Sequence, residues 1–278
     1  MNQRQAWRHL FSSCTHRLGC LVLLAVVLSC VVGPMLLADG PNDQDLALRA
    51  SGPSARHWLG TDALGRDLLA RVLVGGRISL LVGLLATAVA SVIGVAYGMV
   101  AGLAGRRVDA IMMRVVDVLY AFPFMTFVIL LVVVFGRRFE LIFVAIGAVE
   151  WLTMARVVRT QVMVLRDLDF VNAARCLGAG RWRILVRHLL PNIAGTAVVY
   201  ASLTVPGVMM LEATLSFLGL GIQPPDASWG VLISEGADQM AVNPWQLASA
   251  GAAFILTLWS LGQVGDALRE YFDPRQAR

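Results

Sequence analysis

Apolar residues along this chain gather into blocks of about twenty, separated by shorter polar stretches. Six blocks stand out, at 18–37, 78–101, 115–135, 141–158, 193–215 and 247–268. An α-helix rises about 1.5 Å per residue, so a block of this length covers the roughly 30 Å of a bilayer's hydrocarbon core. The pattern therefore predicts an all-α polytopic membrane protein with six transmembrane helices. An even number of spans puts both ends on the same side. Residues 1–77 hold an N-terminal segment, the first span and a polar outer stretch; residues 78–278 hold the remaining five spans. Pro123 and Pro206-Gly207 fall inside blocks and are expected to kink them, because proline lacks the N–H that a helix needs.

One polar stretch is too patterned to be a linker. Residues 159–190 read as two short helices: Asp169 caps Phe170–Leu177, and Gly178 supplies a left-handed stop. A second helix follows, with Trp182, Leu185 and Leu189 on one face, and Pro191 is expected to interrupt it. Such an element is either a docking knob, with Ala173 and Ala174 permitting close approach, or an amphipathic helix lying on the membrane.

Composition agrees with the spans. Of 278 residues 58% are hydrophobic and 15% charged, against roughly 25% charged in a soluble domain. All 23 basic residues are arginine, which excludes the lysine of a phosphate-binding P-loop and any Schiff base. With both ends inside, 16 arginines lie on the inner segments and 7 on the outer ones, so the positive-inside bias favours an N-in, C-in topology. The net charge of +5 is then a matter of topology and implies no nucleic acid. Because the first block continues to Leu37, it is expected to be an uncleaved helix.

Candidate chemistry is sparse. Cys14, Cys20, Cys30 and Cys176 have no metal-site or disulfide spacing, and His9, His16, His57 and His188 all lie outside the spans. No catalytic or metal site is implied. A faint likeness of Gly262–Asp266 to an intramembrane aspartyl-protease motif lacks a clear second aspartate apart from Asp117. Ionisable groups within spans cost about 2.5–3.5 kcal/mol each on insertion scales, so Asp117, Glu150 and Glu212 are candidates to line a translocation path. Arg114 and Asp117 can pair on one helix face. Glu150 and Arg156, six apart, each need a partner on another helix or in a lumen. Glu212, just before Leu215-Ser216-Phe217, is the best placed to face a polar cavity.

Several segments together resemble the permease subunits of bacterial ABC importers for dipeptides, oligopeptides and nickel. The segment Phe170-Val171-Asn172-Ala173-Ala174-Arg175-Cys176-Leu177-Gly178, followed by Arg187-His188-Leu189-Leu190-Pro191-Asn192, is similar to that family's EAA loop. Further matches are His57-Trp58-Leu59-Gly60-Thr61-Asp62-Ala63-Leu64-Gly65-Arg66-Asp67, Val116-Asp117-Val118-Leu119-Tyr120-Ala121-Phe122-Pro123, Leu215-Ser216-Phe217-Leu218-Gly219-Leu220-Gly221 with Pro224-Pro225 and Ser228-Trp229-Gly230, and Gly265-Asp266-Ala267-Leu268-Arg269 with Asp273-Pro274. The stretches 141–149 and 199–203 are most similar to the C-type subunit of an oligopeptide permease.

The resemblance implies a type I ABC importer permease fold in the bacterial inner membrane. It also implies a heterodimer with a homologous permease, two cytoplasmic ATPase subunits that hold ATP and Mg, and an extracytoplasmic peptide-binding protein. This chain would bind no cofactor and hydrolyse nothing itself. Phe170, Val171, Asn172, Ala173, Ala174, Arg175, Leu177 and Gly178 would couple it to an ATPase. Asn172 stands where the family motif has Glu, which removes the charge from any partner contact there. The alternatives are a nickel or metal-chelate permease, an ion-coupled secondary transporter using Asp117, Glu150 and Glu212, or a purely structural membrane subunit. The absence of an inverted repeat speaks against the secondary transporter.

Overall fold

The architecture comes from a computed structural model, which describes residues 14–37, 39–136 and 139–272, without the side chains of 124, 132 and 139–145. The Asp273-Pro274 match, His9, and six of the arginines counted for topology (4, 8, 137, 138, 275 and 278) lie outside the described residues. So do the first five side chains of the 141–149 stretch.

In chain order the helices are α1 (Cys14–Leu36), α2 (Leu68–Leu103), α3 (Arg106–Ala121), α4 (Phe124–Phe135), α5 (Phe139–Leu165), α6 (Asp169–Cys176), α7 (Arg181–Ile184), α8 (Leu190–Phe217), α9 (Trp229–Asp238) and α10 (Pro244–Phe272). A single 3-10 turn, Leu46–Leu48, lies in the outer stretch. Among the described residues the only strand-like pairing is an isolated bridge between Thr61 and Asp67. By length and composition, four helical stretches among the described residues can cross a membrane: α1, α2, the run from Arg181 to Phe217, and α10. The pair α3 and α4 makes a fifth if counted as one span. The predicted fourth span lies within α5, a backbone helix of 27 residues.

Three elements depart from the sequence reading. The second span begins ten residues early, because Asp67 caps α2 by accepting from Ala70 N–H at 2.8 Å. That cap extends α2 to 36 residues, about 54 Å at 1.5 Å per residue. The third block does not bend but breaks: α3 and α4 meet at 82°. Phe122, ahead of Pro123, is extended at φ −74°, ψ 129°, as a residue preceding proline prefers. Pro191, by contrast, interrupts nothing. A π-turn over Leu185–Leu189 precedes it, with Leu190 N–H reaching back to Leu185 C=O, and the wider turn lets the chain run on into α8 despite the proline ring. On that stretch Ile184, Leu185 and Leu189 are buried, while Trp182 turns outward at 76% exposure.

Helix α2 is the centre of the bundle and packs most extensively on α5. Gly94, Gly98 and Gly102, four apart, make the close approach possible. A Cβ on Gly98 would stand 2.5 Å from the Ala155 carbonyl oxygen, and one on Gly102 2.7 Å from Val162 Cβ. Since lipid is as apolar as a leucine side chain, such close backbone packing is what holds helices together in a membrane. Helix α1 packs on α10 and α2. Its Pro34 leaves the Cys30 carbonyl without its i+4 donor, and Arg77 of α2 supplies one, Nε to O at 2.5 Å.

Two apolar clusters result. The larger joins α2, α8, α9 and α10 around Val82, Met209, Leu215, Trp229 and Leu232. The smaller gathers Met99, Met154, Val158, Val162, Val171, Ile184, Leu185, Leu189 and Ile193 at the arginine-rich end of the bundle.

Candidate functional site: a seated helix and an intramembrane polar cluster

Helix α6 is the element read from sequence as a docking knob. It begins one residue earlier than a cap at Asp169 requires: Leu168 is the N-cap and Asp169 opens the first turn, where a carboxylate suits the positive helix end. Its far end closes as read. Gly178 has φ +80°, Ala179 N–H donates to Ala174 C=O at 3.0 Å and Gly178 N–H to Arg175 C=O at 2.9 Å, the paired bonds of a Schellman stop.

The two faces of α6 differ. Val171 is buried in the smaller cluster, with residues of α2, α5, α7 and α8, and Ala174 on the same face is buried as well. Phe170, Asn172, Ala173, Arg175, Leu177 and Gly178 are exposed, Leu177 at 89%. Of the two alanines expected to allow close approach, Ala174 therefore serves the seat and Ala173 the outer face. Phe170 leans on His188, ring centroids 6.5 Å apart. Asn172, at the position of the family's Glu, turns its amide to its own helix: Nδ2 donates to Asp167 C=O at 3.3 Å, and Oδ1 accepts from Arg175 Nη1 at 3.0 Å.

The three carboxylates expected to line a path lie apart. Asp117 does not pair with Arg114. Its partner is Arg156 of α5, at 2.8 Å, with side chains 57% and 43% exposed. Arg156 also lies over the Tyr120 ring, 4.6 Å from its centroid, and Tyr120 Oη meets Thr153 Oγ1 at 3.2 Å. Thus α3 and α5 carry an open patch of acid, base and hydroxyls on neighbouring turns. Glu150 is half-buried on α5, two turns away from this pair.

Glu212 is fully buried in the subunit. Oε1 accepts from Ser228 Oγ at 2.6 Å and Ser216 Oγ at 2.8 Å, while Oε2 faces Ser79 Oγ at 3.4 Å. Ser79 in turn accepts from Trp229 N–H at 3.1 Å and Ser228 from Val231 N–H at 3.2 Å. The carboxylate therefore ties α8 to α2 and to the start of α9. No sequence signal marked Ser79, 133 positions away.

A third polar assembly ties the 57–67 stretch to α2 and α9. Asp62 Oδ1 accepts from the N–H groups of Leu64 and Arg66, and Oδ2 from Arg66 Nε at 2.6 Å. Arg71, 2% exposed, lies between Asp62 at 3.5 Å and Glu235 of α9 at 3.2 Å. Asp67 holds His57 Nδ1 at 2.7 Å while capping α2, and Asn243 Nδ2 donates to Thr61 C=O at 2.8 Å. The His57–Asp67 motif thus acts as a latch that clamps the outer stretch to α2, α9 and the start of α10.

Comparison with known proteins covers nearly the whole of this architecture. Residues 94–278 match the family described as binding-protein-dependent transport system inner membrane component. The Escherichia coli (strain K12) oligopeptide transport system permease protein OppC is 48% identical over 257 residues, 92% of this chain and 85% of that protein. Its Haemophilus influenzae namesake is 45% identical over 92% of this chain and 83% of its own length. The Bacillus subtilis dipeptide transport system permease protein DppC is 42% identical over 99% of this chain and 86% of its own length. The chain belongs to the family of inner-membrane components of binding-protein-dependent transport systems.

Proposed function

We propose that this multi-pass chain is the C-type permease subunit of an ATP-driven importer of short peptides, with α6 as its coupling helix. The supporting observation is the contrast between the two faces of α6: one locked into the bundle through Val171 and Ala174, the other presenting Phe170 and Leu177 to solvent. Through Val171 the helix shares one apolar cluster with α2, α5, α7 and α8, so a push on its outer face is carried to the membrane domain. The arginine bias supports a cytoplasmic α6, with both ends of the chain inside. There two ATPase subunits carry ATP and Mg, and closure of those subunits drives the exchange between inward- and outward-facing states. A homologous permease completes the path. The apolar hollow of about 880 Å³ bordered by Met210, Phe217, Leu218 and Ile255 suits a helix of such a subunit. An extracytoplasmic binding protein delivers the substrate on the latched outer side.

The relatives' names favour peptides over metal chelates. Within the path, the open Asp117–Arg156 pair with Tyr120 and Thr153 offers both charges and hydroxyls to a zwitterionic peptide, and Glu150 adds a second carboxylate nearby. Glu212 acts differently, as a tie between α8, α2 and α9. The test is peptide uptake and ATP hydrolysis by the complete assembly in liposomes. Leu177→Glu is expected to abolish peptide-stimulated ATP hydrolysis while the membrane subunits stay assembled. Uptake driven by an ion gradient without ATP would instead establish the secondary transporter.

A further inference from the structure

At the arginine-rich end, a groove of about 230 Å³ opens between the last turn of α2 and the start of the Arg181–Phe217 run. Its walls are Val100, Leu103, Ala104, Trp182 and Leu185, with Arg181 among them. The groove continues an apolar stripe down α2, in which Leu85, Val89, Ile93, Ala96 and Val100 are all exposed. The arginines around its mouth are exposed. Nearby, Arg156 is paired with Asp117, Arg159 with Asp109, and Arg166 with Asp167 and the Gly102 carbonyl. Arg181, Arg183 and Arg187, and Arg106 and Arg107 just after Ala104, are all exposed and form no ion pair among the described residues. Trp182 stands beside them at 76% exposure.

We infer that this groove seats one anionic phospholipid of the inner leaflet, a site distinct from both the coupling helix and the translocation path. The acyl chain lies along Val100 and Leu103 and continues down the exposed stripe of α2. The phosphate accepts from the guanidinium of Arg181, within the field of the neighbouring arginines. Trp182 occupies the headgroup level, where an indole's apolar body and polar edge are both accommodated. Three features argue for lipid over a protein occupant: the unpaired positive charge, the position at the end of a spanning helix, and the continuity with a lipid-length apolar stripe. Basic pockets at this depth suit anionic headgroups in general.

The experiment uses the complete assembly with its ATPase subunits, delipidated and then titrated with phosphatidylglycerol or phosphatidylcholine, with bound lipid counted by native mass spectrometry. The native assembly is expected to retain phosphatidylglycerol about thirtyfold better, as two interfacial charges at roughly 1 kcal/mol each would imply. The double substitution Arg181→Gln with Arg183→Gln should erase that preference. Leu103→Trp, which fills the groove and leaves the arginines in place, should lower retention of both lipids. Arg56→Gln, on the outer stretch and paired with Asp39, should change nothing. Equal retention of the two lipids by the native assembly, or an undiminished preference in the double variant, overturns the site. So does unchanged retention in the Leu103→Trp assembly. Loss of ATPase chains from the double variant at unchanged lipid retention would assign the groove to a protein interface instead.

Discussion

At the scale of single residues, the buried polar groups carry the clearest expectations. Three serine hydroxyls converge on the Glu212 carboxylate, and two of them also accept backbone N–H groups of α9. Glu212→Ala leaves these hydroxyls facing a void, and each buried group without a partner costs about 1–3 kcal/mol. A lowered unfolding midpoint in detergent is expected, with Glu212→Gln, which keeps the shape and an acceptor oxygen, much closer to native. Arg71 sets a larger value. It is almost completely buried between two carboxylates, so Arg71→Ala strands charge in the outer latch and should destabilise by roughly 3–5 kcal/mol. Gly178 is milder: open space surrounds it, and only its left-handed backbone resists substitution. Gly178→Ala is expected to cost about 1 kcal/mol of local stability while leaving the assembly intact, measurable as faster hydrogen exchange across α6.

At the scale of elements, the contact between α2 and α5 decides how tightly the bundle closes. Gly98→Leu would drive a side chain into the Ala155 carbonyl and Val158, and overpacking of this kind costs about 1–3 kcal/mol. Gly262→Leu on α10 meets open space and is expected to stay within about 0.5 kcal/mol of native; parallel unfolding curves compare the two. The glycine spacing stood in the sequence at 94, 98 and 102, yet spacing alone does not say which helix faces it. The same limit applies to the prolines. Pro123, Pro191 and Pro206 all read alike as helix disruptors. In the bundle Pro34 is compensated by Arg77, Pro123 separates two helices, Pro191 is absorbed by a π-turn, and α8 runs through Pro206. The outcome in each case depends on what surrounds the freed carbonyl.

At the scale of the whole molecule, the polar groups fall into a buried network around Asp62, Arg71 and Glu235 and an open, charged patch around Asp117 and Arg156, which the arginine bias would place on the inner side. The Asp117–Arg156 pair has both side chains about half exposed, so its contribution to stability is at most about 1 kcal/mol. If the pair borders the path, Asp117→Arg and Arg156→Asp should each reduce peptide uptake strongly with little change in unfolding midpoint. Combining the two should restore part of the uptake. A double exchange no better than the single ones would show that the individual charges, and not their pairing, matter to transport.

The sequence by itself determined the class of molecule: apolar blocks of bilayer length, few charges, arginine in place of every lysine, and an amphipathic pair of short helices closed by Gly178. These features are local, and hydropathy, capping and left-handed glycine all act within a few residues. Its motif matches also pointed to the family, because they spread from His57 to the C-terminus. The tertiary structure alone decided which groups meet. Asp117 found Arg156 and not Arg114, Glu212 turned inward to serines from two other elements, and Ala173 and Ala174 divided between an outer face and a seat. Such pairings depend on the angle and depth at which helices pack, and electrostatic and hydrogen-bonding energy falls off within a few ångströms. Residues distant in the chain therefore acquire their roles only when the bundle brings them together.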